Sequence, residues 1–360
     1  MLPAWYRTTA AIAWRFLVIV AAAGALIYAL HYLRVVVLPI IIALLASALL
    51  LPIVRWLKQR NVPDALAAGG TMLAALLLLV AIGTAVAPSI ADQFGDLRPR
   101  AEDGVRKAAD ILADPPFNLS EAEIRETVNK GIARLRENGG PLARGVTNGA
   151  VILGEVVTGA LITLLLTFFL LKDGEKMWGF VLSFTVARTR EHTDEVGTRV
   201  YAALAGYVRG IALVGLVDAI LIGLALLIIG VPLIIPIMVL TFFAAFVPLI
   251  GAFIAGLVAV LIALVSGGLL DAALVLGSII LVQQIEGHVL YPVLMGRTVK
   301  LHPAVIVVAL AAGGVLGGIV GVFLAVPTAG IISVVLDYAR GGAAPDSPLL
   351  DEAGPEPEPA

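Results

Sequence analysis

Apolar runs of about 20 residues, each long enough to cross a bilayer as an α-helix, recur along most of this chain. Of its 360 residues, 60% are hydrophobic and only 14% charged. Its mean hydropathy is +1.02. A soluble domain carries about a quarter charged residues. The alternating apolar and polar segments of an outer-membrane barrel are missing. The sequence therefore predicts an all-α polytopic membrane protein.

We expect about eight transmembrane segments, some of them broken or re-entrant. Their predicted ranges are 10–30, 35–54, 65–90, 148–171, 201–229, 236–265, 274–290 and 304–336. Proline removes a helix hydrogen bond, and broken membrane helices expose backbone groups that can bind ions or polar solutes. The prolines with this potential are Pro232, Pro236, Pro248, Pro292 and Pro327. We predict helix breaks at Pro248 and Pro327, which share a P-x-x-G pattern.

Four regions follow from this pattern. Residues 1–91 form an N-terminal three-span region, and residues 148–340 a C-terminal transport core of five segments. Between them, residues 92–147 are rich in charge and form an extramembrane helical insertion. Ser120 and Glu123 give that insertion a capping box, ahead of an amphipathic helix. Residues 341–360 are rich in proline, glycine and acid, and are expected to be disordered.

Basic residues concentrate in alternate loops, for example at 55–60 and 172–176. The positive-inside rule then places both termini in the cytoplasm. The charges at 172–176 also predict that the fourth span ends there, before a polar connector to about Arg199. Gly313, Gly317 and Gly321, at four-residue spacing, predict close helix packing and contacts in a homo-oligomer.

Several functional classes lack sequence support. The net charge of −2 indicates no nucleic-acid partner, and the absence of cysteine excludes disulfides and thiolate chemistry. Four scattered histidines give no metal-ligand spacing, so no metal or other cofactor is expected. P-loop, HExxH and GxSxG motifs are missing, which argues against an ATPase or another enzyme. A transporter is favoured over an oligomeric channel-like pore and over a membrane scaffold.

The stretch from Leu281 to Pro303 is unusually polar for its apolar surroundings. Ionisable groups at membrane depth are costly and are commonly functional. Glu286 lies beside His288 and near the helix break expected at Pro292. It could bind a cation or exchange a proton near neutral pH, or it could form a structural hydrogen bond. His288 and His302 could respond to pH, although interfacial histidines are commonly incidental.

Two other sets of polar residues are candidates for a solute or ion pathway. Gln283 and Gln284 suit a hydroxylated solute or the shell of a cation, but glutamine also simply joins membrane helices. Arg209 and Asp218 lie within the fifth span, about 13 Å apart along a helix, so they cannot pair within it. Asp218 could couple transport to protons or could form a bridge to Arg297 or Lys300.

The polar stretch also resembles a known family. It reads QQIEGHVLYPVLMGRTVKLHP at 283–303 and is followed by GGVLGGIVGVFLAVPTAG at 313–330. These segments are similar to the C-terminal signature of the autoinducer-2 exporter family of bacterial transporters. Further similarity lies in LPIIIALLASALLLPIVRWL, LLTFFLLKDGEKM and FVPLIGAFIAG. The family usually has a polar or charged residue after the glutamate of Q-x-x-E, where this chain has Gly287.

The resemblance implies a bacterial inner-membrane transporter with about eight spans. Its best-known members are implicated in exporting the quorum-sensing signal autoinducer-2, and others are associated with Na⁺(Li⁺)/H⁺ antiport. We therefore expect contact with membrane lipid and a permease activity for a small polar solute, a monovalent cation or protons. The predicted pathway residues are Glu286, Gln283, Gln284, Asp218, Arg209, Arg297, Pro248 and Pro292, with no catalytic residue and no metal ligand.

Overall fold

A computed structural model describes the backbone of residues 32–113, 140–248, 250–290 and 302–341, with scattered positions between 13 and 29. Within these residues the chain is helical and contains no strand. The helices are α1 (Arg34–Gln59), α2 (Asp64–Ala113), α3 (Gly140–Ser183), α4 (Arg190–Ile229), α5 (Ile234–Ala244), α6 (Ile250–Gly267), α7 (Leu269–Ile285) and α8 (Pro303–Ala339). A π-helical turn, Glu286–Leu290, follows α7. The all-α prediction is confirmed.

Seven segments of the described residues are long and apolar enough to cross a membrane. They are Val35–Gln59, Asp64–Pro88, Val157–Ser183, Ala187–Ile229, Ile250–Gly267, Leu269–Leu290 and Val320–Ala339. These segments correspond to the second to eighth predicted spans, with shifted ends. Of the first predicted span, only scattered positions lie among the described residues. The chain is therefore a multi-pass membrane protein, as predicted.

The helix of the fourth span does not end near residue 172, where an exit from the membrane is predicted. Helix α3 continues to Ser183, with a local kink at Asp173, whose φ and ψ are −127° and 25°. The Asp173 carboxylate is 3.1 Å from Lys172 Nζ and 2.7 Å from Lys176 Nζ. These charges are therefore paired along a continuing helix instead of marking its end.

The centre of the molecule is α4. In its apolar window 44% of the residues are buried, compared with 28% or less in the other six spanning segments of the described chain. It packs against α1, α5, α7 and α8. A β-carbon added at Gly215 would lie 2.7 Å from Ala245 Cβ, so α4 approaches the end of α5 very closely. Leu45 of α1, Ile211 of α4 and Leu310 of α8 share one buried cluster.

Helices α5 and α6 form a hairpin, in which the chain reverses between Ala244 and Ile250. The Gly251 α-carbon lies so close to the Ala244 carbonyl that a β-carbon there would clash with it. Pro248 lies in the turn, which confirms the predicted break at that residue. Because α5 has only 11 residues, it is too short to cross a bilayer as a helix.

The break predicted at Pro327 is wrong, because Pro327 lies within α8. Val326 beside it is buried against Tyr207 and Leu310, and this packing holds the helix together without the missing hydrogen bond. Helix α8 bends instead at Gly318, where φ is 57° and ψ is −140°. That conformation is essentially confined to glycine.

The bend at Gly318 brings the two arms of α8 together. Gly313 and Gly321 meet backbone to backbone across it, whereas a β-carbon at Gly317 would have no neighbour within 4 Å among the described residues. The predicted close packing is therefore present at two of the three glycines. This packing lies within α8, and the contacts in a homo-oligomer stay a prediction.

Helix α2 extends past the membrane-spanning segment to Ala113, and α3 begins at Gly140. The amphipathic helix predicted after Ser120 and the disorder predicted for the tail lie outside the described residues. Helix α2 also packs against α5 and α6, so the N-terminal region contacts the C-terminal one directly. The division of the chain into four regions stays a prediction.

Candidate functional site: an acidic cavity beside α4

A cavity of about 420 Å³ lies between α4, the α5–α6 hairpin and the end of α7. Ile211, Val214, Asp218 and Ile222 form its α4 wall. Their spacing of three and four residues places all four on one face of a helix. This face is otherwise apolar, so Asp218 is a single carboxylate on a hydrophobic surface.

The opposite wall belongs to α7 and the π-helical turn after it. Ile279, Gln283 and Glu286 line the cavity, again at helical spacing. Glu286 is the first residue of the π-helical turn, which replaces the last turn of the α-helix. Single π-helical turns are rare and frequently occur at functional sites. The turn widens the helix at the residue that carries the carboxylate.

The side chains of Asp218 and Glu286 lie within hydrogen-bonding reach of one another, and Gln283 contacts Glu286 in the same way. We call Asp218 and Glu286 the acid pair. Asp218 is only 5% exposed, whereas Glu286 is half-buried. Among the described residues, Asp218 Oδ1 has no hydrogen-bond partner. A buried oxygen of this kind is costly unless a proton or a ligand meets it.

The hairpin closes the cavity with mainly apolar groups, among them Ala245, Val247, Pro248 and Ala252. Thr241 also lines it, but its hydroxyl donates to the Ile237 carbonyl at 2.8 Å. Phe253 lines it as well and is 70% exposed. The cavity therefore reaches the surface of the chain at Phe253.

Four of the eight predicted pathway residues line this cavity: Asp218, Pro248, Gln283 and Glu286. Gln284 does not line it; the backbone oxygen of Gln284 lies 3.0 Å from His288 Nδ1. Pro292 and Arg297, with Lys300, lie outside the described residues, and so does any bridge from them to Asp218.

Arg209 lies away from the cavity and has a structural contact. Its Nε donates to the backbone oxygen of Ala48 in α1, at 2.8 Å. The contact therefore joins α4 to α1. It lies on the side of α4 that faces away from α7.

The pairing of Asp218 with Glu286 was not predicted, because no sequence periodicity relates two helices that are distant in the chain. Thr241 was missed for another reason: a threonine in an apolar run is usually satisfied by its own helix, as it is here. Within the residues that the structure describes, no three His, Asp or Glu side chains come together as a metal site.

A multi-pass helical protein with an internal cavity and acidic groups at membrane depth belongs to the class of membrane transport proteins. Comparison with known sequences makes the family explicit. The model of the AI-2E family transporters matches residues 16–341. The chain belongs to this family, and the resemblance of its C-terminal segments is confirmed.

Individual relatives agree with that assignment. The chain is 40% identical over 347 residues to "Putative transport protein MT0215" of Mycobacterium tuberculosis, covering 96% of this chain and 94% of the relative. It is 28% identical to "Putative transport protein YrrI" of Bacillus subtilis, covering 84% and 86%. A shorter match, 34% identical over 103 residues, relates 29% of this chain to 30% of the AI-2 transport protein TqsA of Escherichia coli.

Proposed function

We propose that this protein is a proton-coupled secondary transporter that moves a small solute through the cavity beside α4. The observation that carries the proposal is the acid pair, in which Asp218 and Glu286 meet in a cavity bounded by membrane helices. Two carboxyl groups in contact can hold one proton between them, with the protonated group donating to the other. Release of that proton leaves a negative charge which a solute or a cation can then neutralise.

The acid pair suits proton coupling because the free energy needed to keep it in the membrane depends on whether it holds a proton or a ligand. A charged carboxylate at membrane depth is disfavoured by about 3 kcal/mol or more. A carrier with this pair therefore changes the side to which its cavity is open when the pair is protonated or holds a ligand, and not when both acids are charged. Gln283 contacts Glu286. Its amide can donate to the charged carboxylate or accept from the protonated carboxyl group.

Autoinducer-2 is the first solute to test, because the relative TqsA is named for its transport. Its match spans 29% of this chain, so export of autoinducer-2 by a permease of this kind is a proposal here. A second candidate function is Na⁺(Li⁺)/H⁺ antiport, which the acid pair itself favours, because carboxylate oxygens can take either a cation or a proton. An oligomeric pore, formed by a homo-oligomer, is the third.

Flux measurements in proteoliposomes test the proposal. The purified protein is reconstituted with an imposed H⁺, Na⁺ or Li⁺ gradient, and uptake of autoinducer-2 and release of protons are followed. We expect solute or cation flux that depends on the proton gradient and that falls by about tenfold or more in Glu286→Gln. The exposed Asp337→Asn variant is the matched control. Wild-type flux from Glu286→Gln would refute the role of the acid pair.

We also propose the bacterial inner membrane, with both termini in the cytoplasm, as the location. The support is the basic residues at the end of α1, where Lys58 pairs with Asp64 at 3.1 Å and Arg60 stacks on Trp56. Because the chain has no cysteine, a single Gln59→Cys label is unique. It should react with a membrane-impermeant maleimide only after the cells are opened.

A further inference from the structure

Among the residues that the structure describes, the walls of the cavity carry charge of one sign only. Among the 14 residues that line it, the ionisable ones are Asp218 and Glu286, and no lysine, arginine or histidine of the described chain joins them. Arg209, on the same helix as Asp218, is bound instead to the Ala48 carbonyl. The polar end of the cavity therefore attracts positive charge and repels anions.

One acceptor at this polar end is unused. Asp218 is 5% exposed and lines the cavity, and its Oδ1 has no donor among the described residues. Glu286 is an acceptor too when it is charged, so the two carboxyl groups cannot satisfy each other fully. A positively charged donor or a cation placed in the cavity would meet this buried oxygen.

The remaining walls are unlike an inorganic ion site. Ten of the 14 lining residues are apolar, including Phe253 at the opening. Sodium and other hard cations need several oxygen ligands, which apolar walls do not supply. A volume of about 420 Å³ instead falls in the range of small-molecule pockets, which is about 300–1,000 Å³.

We infer that the cavity binds a small organic monocation with an apolar body, such as a protonated or quaternary amine. Its charged end lies against the acid pair, and its apolar body extends along the hairpin towards Phe253. An aromatic side chain at the opening also attracts the cation as it enters. As a statement about the transported solute, this rests on the proposed function, and it competes with autoinducer-2 and with a metal cation as the solute of that cavity.

Calorimetric titration of the full-length protein in detergent micelles tests the inference. The probes are benzyltrimethylammonium, its neutral isostere neopentylbenzene, tetramethylammonium, sodium and the neutral polyol xylitol, each corrected for empty micelles. We expect benzyltrimethylammonium to bind most tightly. Its affinity should exceed that of neopentylbenzene by about thirtyfold or more, because the neutral probe leaves the desolvated charge of the acid pair without a partner.

Three variants separate the charged end from the apolar body. The double variant Asp218→Asn/Glu286→Gln should lose the advantage of benzyltrimethylammonium over neopentylbenzene, while Asp337→Asn retains it. Phe253→Ala should weaken the binding of benzyltrimethylammonium more than that of tetramethylammonium, because only the first has an apolar body that extends towards Phe253. Because Asn and Gln keep the shape of the acids and remove buried charge, the double variant is expected to fold. A single symmetric peak in size-exclusion chromatography checks this.

The outcomes divide cleanly. Binding of sodium without binding of benzyltrimethylammonium overturns the inference and leaves proton-coupled antiport standing. Equal affinity for benzyltrimethylammonium and neopentylbenzene, or tightest binding of xylitol, also overturns it. Failure of the proposed function would be seen elsewhere, as unchanged proteoliposome flux in Glu286→Gln. That result is independent of which probe binds in the micelle.

Discussion

Arg209 supplies to Ala48 the hydrogen bond that Pro52 cannot give. In α1 the Ala48 carbonyl would normally accept from the N–H of the residue four positions later, which is Pro52 and has no N–H. The Arg209 guanidinium on α4 donates from Nε to this oxygen at 2.8 Å. A charged side chain in a membrane span is thus used as the partner of a backbone group in the neighbouring helix.

Replacing Arg209 should therefore depend on Pro52. We expect Arg209→Met to destabilise the protein by about 1–3 kcal/mol, because it leaves the carbonyl of the buried Ala48 without a donor. In a Pro52→Ala background α1 can satisfy the Ala48 carbonyl itself, so the same substitution should cost less. Thermal unfolding in detergent, measured for the four members of this double-mutant cycle, checks the prediction. Equal costs in both backgrounds would contradict it.

Gly318 and Gly317 offer a comparison of two adjacent glycines. Gly318 has a φ of 57° and a ψ of −140°, so Gly318→Ala should destabilise the bend in α8 by about 1–3 kcal/mol. At Gly317 a β-carbon would meet no described atom within 4 Å. Gly317→Ala should be neutral or stabilising by up to about 1 kcal/mol. Similar unfolding midpoints for the two variants would show that the bend does not need glycine.

The α5–α6 hairpin should not tolerate a methyl group at Gly251, where the two helices approach each other closely. A β-carbon at Gly251 would meet the Ala244 carbonyl, a backbone atom that cannot rotate away. We expect Gly251→Ala to cost about 1–3 kcal/mol, as overpacking does, and to reduce ligand binding in the cavity. Gly277→Ala on α7, where the added carbon meets no described atom within 4 Å, is the control. Retained stability in both variants would argue against the close approach.

Asp218 should decide the response of flux to pH. With asparagine in its place the cavity keeps its shape but loses the carboxyl group that lies within hydrogen-bonding reach of Glu286. We expect Asp218→Asn proteoliposomes to lose most of the acceleration that a proton gradient gives the wild-type protein. Flux is measured across an imposed pH difference and at equal pH on both sides. A pH dependence identical to that of the wild type would dismiss Asp218 as a coupling residue.

The sequence predicts much of this fold because membrane helices are defined by local composition. The length of each apolar run limits where a span can lie, and the break at Pro248 follows from proline chemistry. The errors have physical causes as well. Pro327 is held in α8 by packing around Val326, and the charges after residue 171 pair with one another around Asp173. Both depend on contacts between side chains, which local composition alone does not specify.

The same limit applies to the cavity. Because polar groups at membrane depth are costly and commonly functional, the sequence indicates Asp218, Gln283 and Glu286 as candidates one at a time. By the same criterion it indicates Arg209, which instead donates to a backbone carbonyl. Whether a buried polar group faces a cavity or a neighbouring helix depends on how the helices pack, and that information is non-local.

The acid pair joins two helices that are made at different times. Asp218 leaves the ribosome within α4, and the chain must then build the whole α5–α6 hairpin and α7 before Glu286 exists. Helix α4 must therefore enter the bilayer with an unmatched acid, at a cost of about 3 kcal/mol, and its apolar residues must offset that cost alone. A nascent chain that stalls before α7 leaves a solitary carboxyl group in the membrane.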